Sequence, residues 1–521
     1  MRRPLIACLI TTLIATLIAP LVTGCMVGPD YTRPLVDTPD AYRFAFSDAQ
    51  DTANTRWWRR FRDPVLDDLI LIALANNWSA KIAAANVEAA AAVLTQARAP
   101  LFPQVNYSGE GIRERVSGAT ATPVPSGIAN PQNNFTVLAG ASWEIDLWGR
   151  IRRQTEAARA DLLATEEARR GVILSLVGTL ASSYIQLRGL DEQLATAKRT
   201  QAAYAESLRL FELQFKYGQV SEMEVAQARS QYETASAQIP VIEQQIGQLE
   251  NGLSILLGRN PGPIQRGLTV ETMGRPAVPS GVPSQLLERR PDILQAEQQL
   301  IAANAQIGAA KALYFPSISF TAALGGSSSE LSDLFSGPAN TWNFAGSVIG
   351  PLFTAGSVSG QVAQAQAQQR AAAENYQQVI QSAFADVSNA LIARQKLGEQ
   401  VGAQTRLVQA LRDYSRLARI QFDGGYVPYS TVLQAEQQLF PAELNLAATR
   451  AADLSALVSV YQAMGGGWVD EAARTAPAPV KVRGRSHRPC RSRRGAWNNS
   501  RFRDSGGDHL LYLHFMDCTV W

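Results

Sequence analysis

From residue 173 the apolar positions recur at alternating spacings of three and four: Ile173, Leu176, Leu180, Ser183, Leu187, Leu190, Leu194, Ala197, Gln201, Tyr204, Leu208, Phe211 and Phe215. Eleven of these thirteen are apolar, the heptad pattern of a helix wound on a partner helix. No proline interrupts residues 132–239 or 352–427. The spacing therefore predicts one unbroken helix over 151–216, roughly 100 Å long at about 1.5 Å per residue. It turns at Tyr217-Gly218 and returns over 221–257, and a second pair turns at Gly424-Gly425 and returns over 429–464.

Ahead of each helix pair the period drops to two. FTVLAGASWEIDLW (135–148) puts Phe135, Val137, Ala139, Ala141, Trp143, Ile145 and Leu147 on one face. Thr136, Gly140, Ser142, Glu144 and Asp146 lie on the other, with Leu138 the exception. TWNFAGSVIGPLF (341–353) alternates less cleanly, and VNYSGEG after Pro103 and SISFTAAL after Pro316 supply the partner strands. Loops rich in Gly, Ser, Pro and Asn, 113–134 and 325–340, join each pair. A soluble sandwich would need more strands than four. A transmembrane barrel fits better but closes only with about eight or more, so several copies must share one.

The two halves are copies of one unit. ARAPLFPQVNYSGEG matches AKALYFPSISFTAALGG with Phe102-Pro103 on Phe315-Pro316, 213 residues apart. LQFKYGQVSEMEVAQA matches IQFDGGYVPYSTVLQA with Phe215 on Phe422 and Gly218 on Gly425, 207 apart. The expected organisation is a signal segment 1–24, an N-terminal segment 25–55, repeat one over 56–258, a Pro/Gly-rich linker 259–283, repeat two over 284–468 and a basic tail 469–521.

Composition then removes whole classes of function. The four cysteines are Cys8, Cys25, Cys490 and Cys518, so the body carries neither a disulfide framework nor a CxxC metal site. All three histidines (His487, His509, His514) lie in the tail, which removes the commonest general base and metal ligand. From residue 471 onward ten Lys/Arg face four Asp/Glu, leaving 38 against 41 in residues 1–470. A mildly acidic body without a basic face does not suit nucleic acid. No Gly-rich phosphate loop stands in the body either, so an enzyme is not expected.

Met1-Arg2-Arg3 and the apolar run from Leu5 to about Ile18 form a secretory signal, too short to span a bilayer comfortably. Val22-Thr23-Gly24-Cys25 resembles the bacterial lipobox, in which Cys25 would carry S-diacylglycerol and an N-acyl group. Each buried CH₂ of such chains contributes about 0.8 kcal/mol of membrane affinity. Met26 rather than Asp after the cysteine points to the outer membrane.

Several stretches together carry a family resemblance: CMVGPDYTRP, RWWRRFRDPVLDDLI, LFPQV with YFPSI, DLWGRIRR, and RRPDILQAEQQLIAANAQIGAAKA. Residues 25–468 resemble the outer-membrane factors, the TolC-like channels, in the NodT-type lipoprotein branch serving resistance-nodulation-division efflux pumps. The resemblance implies an α+β membrane protein with a duplicated β-hairpin plus long antiparallel helical hairpin. It implies a homotrimer sharing one twelve-stranded outer-membrane β-barrel, continued by a periplasmic α-helical barrel. The partners implied are a periplasmic adaptor, an inner-membrane pump and outer-membrane lipid; no cofactor, metal or nucleic acid is implied. The family narrows its periplasmic end with two acidic residues after the second turn, and the matching positions here are Thr431 and Gln434, with Asp423 and Glu436 nearby. The tips, Gly218, Val220, Ser221, Glu222 and Glu224 with Gly424, Gly425 and Tyr426, are the expected adaptor-docking surface.

Trp143, Trp148, Trp342, Tyr107 and Phe344 suit an interfacial aromatic girdle or ordinary packing, and Trp57-Trp58 suits a packing anchor. The tail lacks periodicity and its His/Cys spacings match no standard metal site, so it reads as a disordered basic extension or as sequence foreign to the design. A lipoprotein with a coiled-coil stalk would explain the helices and the lipid, but not two amphipathic hairpins.

Overall fold

The computed structural model describes residues 26–46, 54–117, 129–279, 281 and 283–480. The expected signal segment, Cys25 and the basic stretch from 481 lie outside the described residues.

In both repeats a leading helical segment precedes a strand pair and then a long helix with its returning partner. In the first, helices α1 (Pro64–Asn76) and α2 (Trp78–Arg98) precede strands β1 (Gln104–Glu114) and β2 (Gln132–Ile145), then helices α3 (Arg150–Lys216) and α4 (Glu222–Leu256). In the second, α5 (Pro291–Ala312) precedes β3 (Ser317–Ser328) and β4 (Asn340–Ile349), then α6 (Ser357–Asp423) and α7 (Tyr429–Met464). Helices α3 and α6 both have 67 residues, and their returning partners have 35 and 36. Among the described residues no helix is long and apolar enough to cross a membrane.

Local chemistry fixes the helix starts. Asp63 caps α1 by accepting from the Val65 and Leu66 amides, with Pro64 at the first helical position. Ser221 and Glu224 form a reciprocal capping box at the start of α4. At the two helical turns Gly218 and Gly425 take φ of +70° and +75°, the left-handed region that suits glycine.

The heptad seam on α3 is buried at most of its positions from Ile173 to Phe211, where it packs against α1, α4 and α7. Phe215, expected in the seam, is half exposed. It sits one residue before α3 ends at Lys216.

The strands extend further into the expected loops than alternation predicted, β1 to Glu114, β2 back to Gln132 and β3 to Ser328. Arg113, Glu114, Gln132, Asn133 and Asn134, and the Gly and Ser of 325–328, give no apolar signal, yet their backbone groups find ladder partners. β4 stops at Ile349, short of the expected 353.

The linker is strapped down. Buried Asp63 also accepts from the Tyr184 hydroxyl and the Leu268 amide, both at 2.9 Å. The Tyr184 hydroxyl, pushed up by burial and by this carboxylate, in turn accepts from Gly267 N–H at 2.8 Å. Arg266 pairs with Asp191 and Glu250, and Arg275 with the fully buried Asp453.

The expected tail boundary after 468 needs correction. Helix α8 (Trp468–Thr475) belongs to the main core, where Trp468 meets Trp57 and Trp58 edge-on at 5.8 and 5.7 Å. Val469, Ala472 and Ala476 are buried beside it. A helix of 8 residues, about two turns, has too little periodicity to be seen in the sequence.

Candidate functional site

The sheet is wholly antiparallel in the order β1-β2-β3-β4. Its register aligns side chains into two contrasting faces. One row crosses the sheet as Tyr107, Ala139, Leu324 and Trp342, and the next as Val105, Ala141, Ala322 and Phe344. Opposite them run Asn106, Gly140, Ala323 and Asn343, and Gln104, Ser142, Thr321 and Ala345. One face is apolar and aromatic; the other is polar, and hydroxyls pair across it, Ser319 with Ser347 at 2.7 Å and Thr136 with Ser327 at 3.3 Å. Strands of 10–14 residues have the length of a tilted bilayer crossing.

Of the expected aromatic girdle, Trp143, Trp342, Tyr107 and Phe344 stand on the apolar face and are exposed in the single chain. Trp148 does not join them. It stacks on Phe315 at 4.6 Å and donates to the Pro316 carbonyl at 2.7 Å, closing the junction between sheet and helices.

At the far end of the helical hairpins, Phe211, Val225 and Ala228 of the first repeat pack with Ala418, Tyr429, Val432, Leu433 and Ala435 of the second. Val220 is half-buried against this cluster, while Tyr426 projects into solvent. Glu222 is exposed, but the Glu224 carboxylate accepts from the Ser221 amide at 2.8 Å as a helix cap. Gly424 lies under the Tyr426 ring, 2.9 Å from where its Cβ would be.

Among the expected gate positions, Gln434 and Asp423 are exposed and Thr431 is half-buried. Glu436 points between the helices rather than into open space. Burial pushes its carboxyl up, Arg419 at 4.0 Å pulls the other way, and its Oε2 has no hydrogen-bond partner.

The N-terminal segment was visible only as a motif, and its contacts are the site residues that sequence reasoning missed. Buried Arg153 holds Asp30 at 2.8 Å, Tyr31 and Arg33 both donate to Glu297, and Asn304 donates to the Pro29 carbonyl. Gly28, at φ +105°, passes so close to α5 that a Cβ would fall 2.4 Å from the Gly308 Cα. The family motifs DYTRP, GRIRR and AEQQL thus meet in one place.

Cavities between the helices hold paired charges. One of about 540 Å³ is lined by Arg290, which pairs with Asp292 and Asp386. Another of about 450 Å³ holds Arg188, Arg199, Arg412 and Arg450 against Asp191, Glu192, Glu271 and Glu443. Neither sets a nucleophile beside a base. Among the described residues no group of His, Cys, Asp and Glu could hold a metal ion.

Comparison with known proteins agrees with this geometry. The model of the family described as outer membrane efflux protein matches residues 69–259 and 282–466, that is, both repeats. The toluene efflux pump outer membrane protein TtgC of Pseudomonas putida is 36% identical over 457 residues, covering 86% of this chain and 94% of the relative. The cation efflux system protein CusC of Escherichia coli is 36% identical over 454 residues, covering 86% and 96%. Among solved structures, the CmeC outer membrane channel of Campylobacter jejuni superposes with a TM-score of 0.81 at 26% identity, over 87% of this chain and 99% of that one.

Proposed function

The chain belongs to the outer membrane efflux protein family, and from that premise we infer that it is the outer-membrane exit duct of a tripartite efflux pump. The observation that carries this is the two-faced sheet joined through the short connections 146–149 and 350–356 to helices of 67 residues. The apolar face suits lipid and the polar face a water-filled lumen, while the helices, roughly 100 Å long, extend the duct into the periplasm. It is a channel of a pump and not an enzyme; an adaptor and an inner-membrane pump complete the system.

The finer assignments are proposals. The tips around Gly218 and Gly425 dock the adaptor, supported by their place at the far end of both hairpins and by the exposure of Glu222 and Tyr426. Gln434, exposed on α7 where the family resemblance implies a carboxylate, lines the periplasmic aperture with an amide instead. Cys25 carries the lipid, supported by the signal-like sequence before it; palmitate incorporation that persists in Cys25→Ser would sink this.

Cargo is set upstream of the duct. The relatives named for toluene and for cations stand at the same 36% identity to this chain. Single-channel conductance in a planar bilayer, together with adaptor-dependent drug susceptibility in cells, tests the reading. Absence of both would leave a structural lipoprotein instead.

A further inference from the structure

The connection from β3 to β4 begins Glu330-Leu331-Ser332-Asp333-Leu334-Phe335, a pattern that the duct does not require. Leu331, Leu334 and Phe335 have the i, i+3, i+4 spacing of a one-sided turn, with Glu330, Ser332, Asp333 and Ser336 between and around them. Among the described residues, the matching end of the first hairpin carries Arg113, Glu114, Gln132 and Asn133 instead, with Arg113 donating to the Asn133 side-chain oxygen. Closing a hairpin here does not call for apolar groups.

The side of the sheet on which this turn lies is fixed by one glycine. Leu324 shares the apolar face with Ala139 and Trp342, and Gly326, two residues further along β3, faces the same way. A Cβ on Gly326 would fall 2.2 Å from the Leu334 carbonyl oxygen and 3.6 Å from its Cδ1. The turn therefore folds back over the apolar face, and a position without a side chain lets it approach. Leu334 and Ala339 are buried, whereas Leu331 and Phe335 project, 63% and 83% exposed.

Depth and backbone chemistry both suit a lipid boundary. Gly326 is the tenth residue of β3, the point at which a tilted strand of about 9–11 residues has crossed the bilayer. Backbone that meets lipid must satisfy its own polar groups. Here Asp333 N–H donates to the Glu330 carbonyl, Ser336 N–H to that of Asp333 and Ala339 N–H to that of Ser336, at 3.2, 2.9 and 3.1 Å. The Ser336 hydroxyl adds a bond to the Asp333 carbonyl at 2.7 Å.

Resting on the reading that the sheet crosses the membrane with its apolar face to lipid, we propose that residues 330–335 form a lipid anchor at the rim far from the helices. Leu331 and Phe335 enter the outer leaflet, while Glu330 and Asp333 stay at the water. Lipid is the occupant because the turn continues the exposed apolar surface of Val137, Leu324 and Trp342. An aromatic ring at the head-group level is a favourable interfacial contact, and three copies would pin the rim at three places.

The test uses the full chain as the purified trimer in phosphatidylcholine vesicles, with Cys490 and Cys518 replaced by Ser. The same background without a new cysteine corrects for label at Cys25. An environment-sensitive fluorophore is placed on Phe335→Cys or Leu331→Cys, whose exposed side chains leave the core intact. Two references carry it on Trp342→Cys, on the apolar face, and Ala323→Cys, on the polar one. The quenchers are phosphatidylcholine spin-labelled near its head group and aqueous iodide. Both turn variants should lose emission to the lipid-borne quencher, as Trp342→Cys does, and keep it in iodide; Ala323→Cys should lose emission to iodide alone. Iodide quenching of the turn variants, with lipid quenching of Trp342→Cys, places the turn in water and overturns the anchor alone. Protection of the turn from both quenchers means that protein covers it, which also overturns the anchor. Trp342→Cys quenched by iodide and not by lipid overturns the membrane-crossing sheet as well.

Discussion

At the scale of single residues, Asp63 joins more of the chain than any motif implied. Its carboxylate caps α1, holds the Tyr184 hydroxyl of α3 and fixes the Leu268 amide of the linker. Asp63→Ala removes a cap, a loss of about 1 kcal/mol, and leaves a buried hydroxyl and amide unpaired at about 1–3 kcal/mol each. The purified trimer should melt clearly lower, by heat-dependent gel mobility; unchanged melting would show the hub to be dispensable. Glu436 is the opposite case. A carboxyl whose pKa rises on folding lends stability while protonated, and that stability is lost as pH climbs through the raised value. Glu436→Gln, fixed neutral, should therefore protect the amides around 418–436 from hydrogen exchange better than wild type at neutral pH, and equally in acid. Lower protection at neutral pH would mean that the Arg419 pair outweighs desolvation.

At the scale of elements, the sheet register makes a sharp distinction between adjacent alanines. Ala322 shares the apolar face with Ala141 and Phe344, while Ala323 shares the polar face with Gly140 and Asn343. Ala322→Arg should cost about 2–4 kcal/mol at the bilayer midplane and abolish insertion. Ala323→Arg should insert and alter conductance; equal effects on insertion would contradict the assigned faces. At the tips, Glu222→Lys is the cleaner probe of adaptor docking, because Glu224 also caps α4. Crosslinking to the adaptor should fall with Glu222→Lys while the helix stays folded by hydrogen exchange, and unchanged crosslinking would move docking elsewhere. The helical hairpins were legible almost to the residue, since the heptad spacing and a glycine turn are local signals. The strand ends were not, because Arg113-Glu114, Gln132-Asn133-Asn134 and the Gly/Ser run 325–328 look like loop although they pair in a ladder.

At the scale of the whole molecule, the tail divides at 480 rather than 468. Removing 481–521 should leave efflux intact. Cutting at 467, or Trp468→Ala at about 3–5 kcal/mol for emptying a buried indole site, should destabilise the core that Trp57 and Trp58 share with Tyr461. Efflux that survives the cut at 467 would show α8 to be an accessory. The N-terminal segment is the same lesson at the other end. Its motif was visible, but nothing local to CMVGPDYTRP says that Asp30 meets Arg153 or that Arg33 meets Glu297.

The sequence by itself determined the duplication, the period of each element, the turns, and the absence of His and Cys from the body, since each depends on residues near one another along the chain or on simple counts. It also determined that four amphipathic strands need company, because an unclosed barrel leaves edges unpaired. Only the tertiary structure decided which polar groups meet across long separations. Asp63 finds Leu268 205 residues away and Arg153 finds Asp30 across 123, pairings that carry no periodicity and become fixed only when packed helices bring the groups within hydrogen-bond reach.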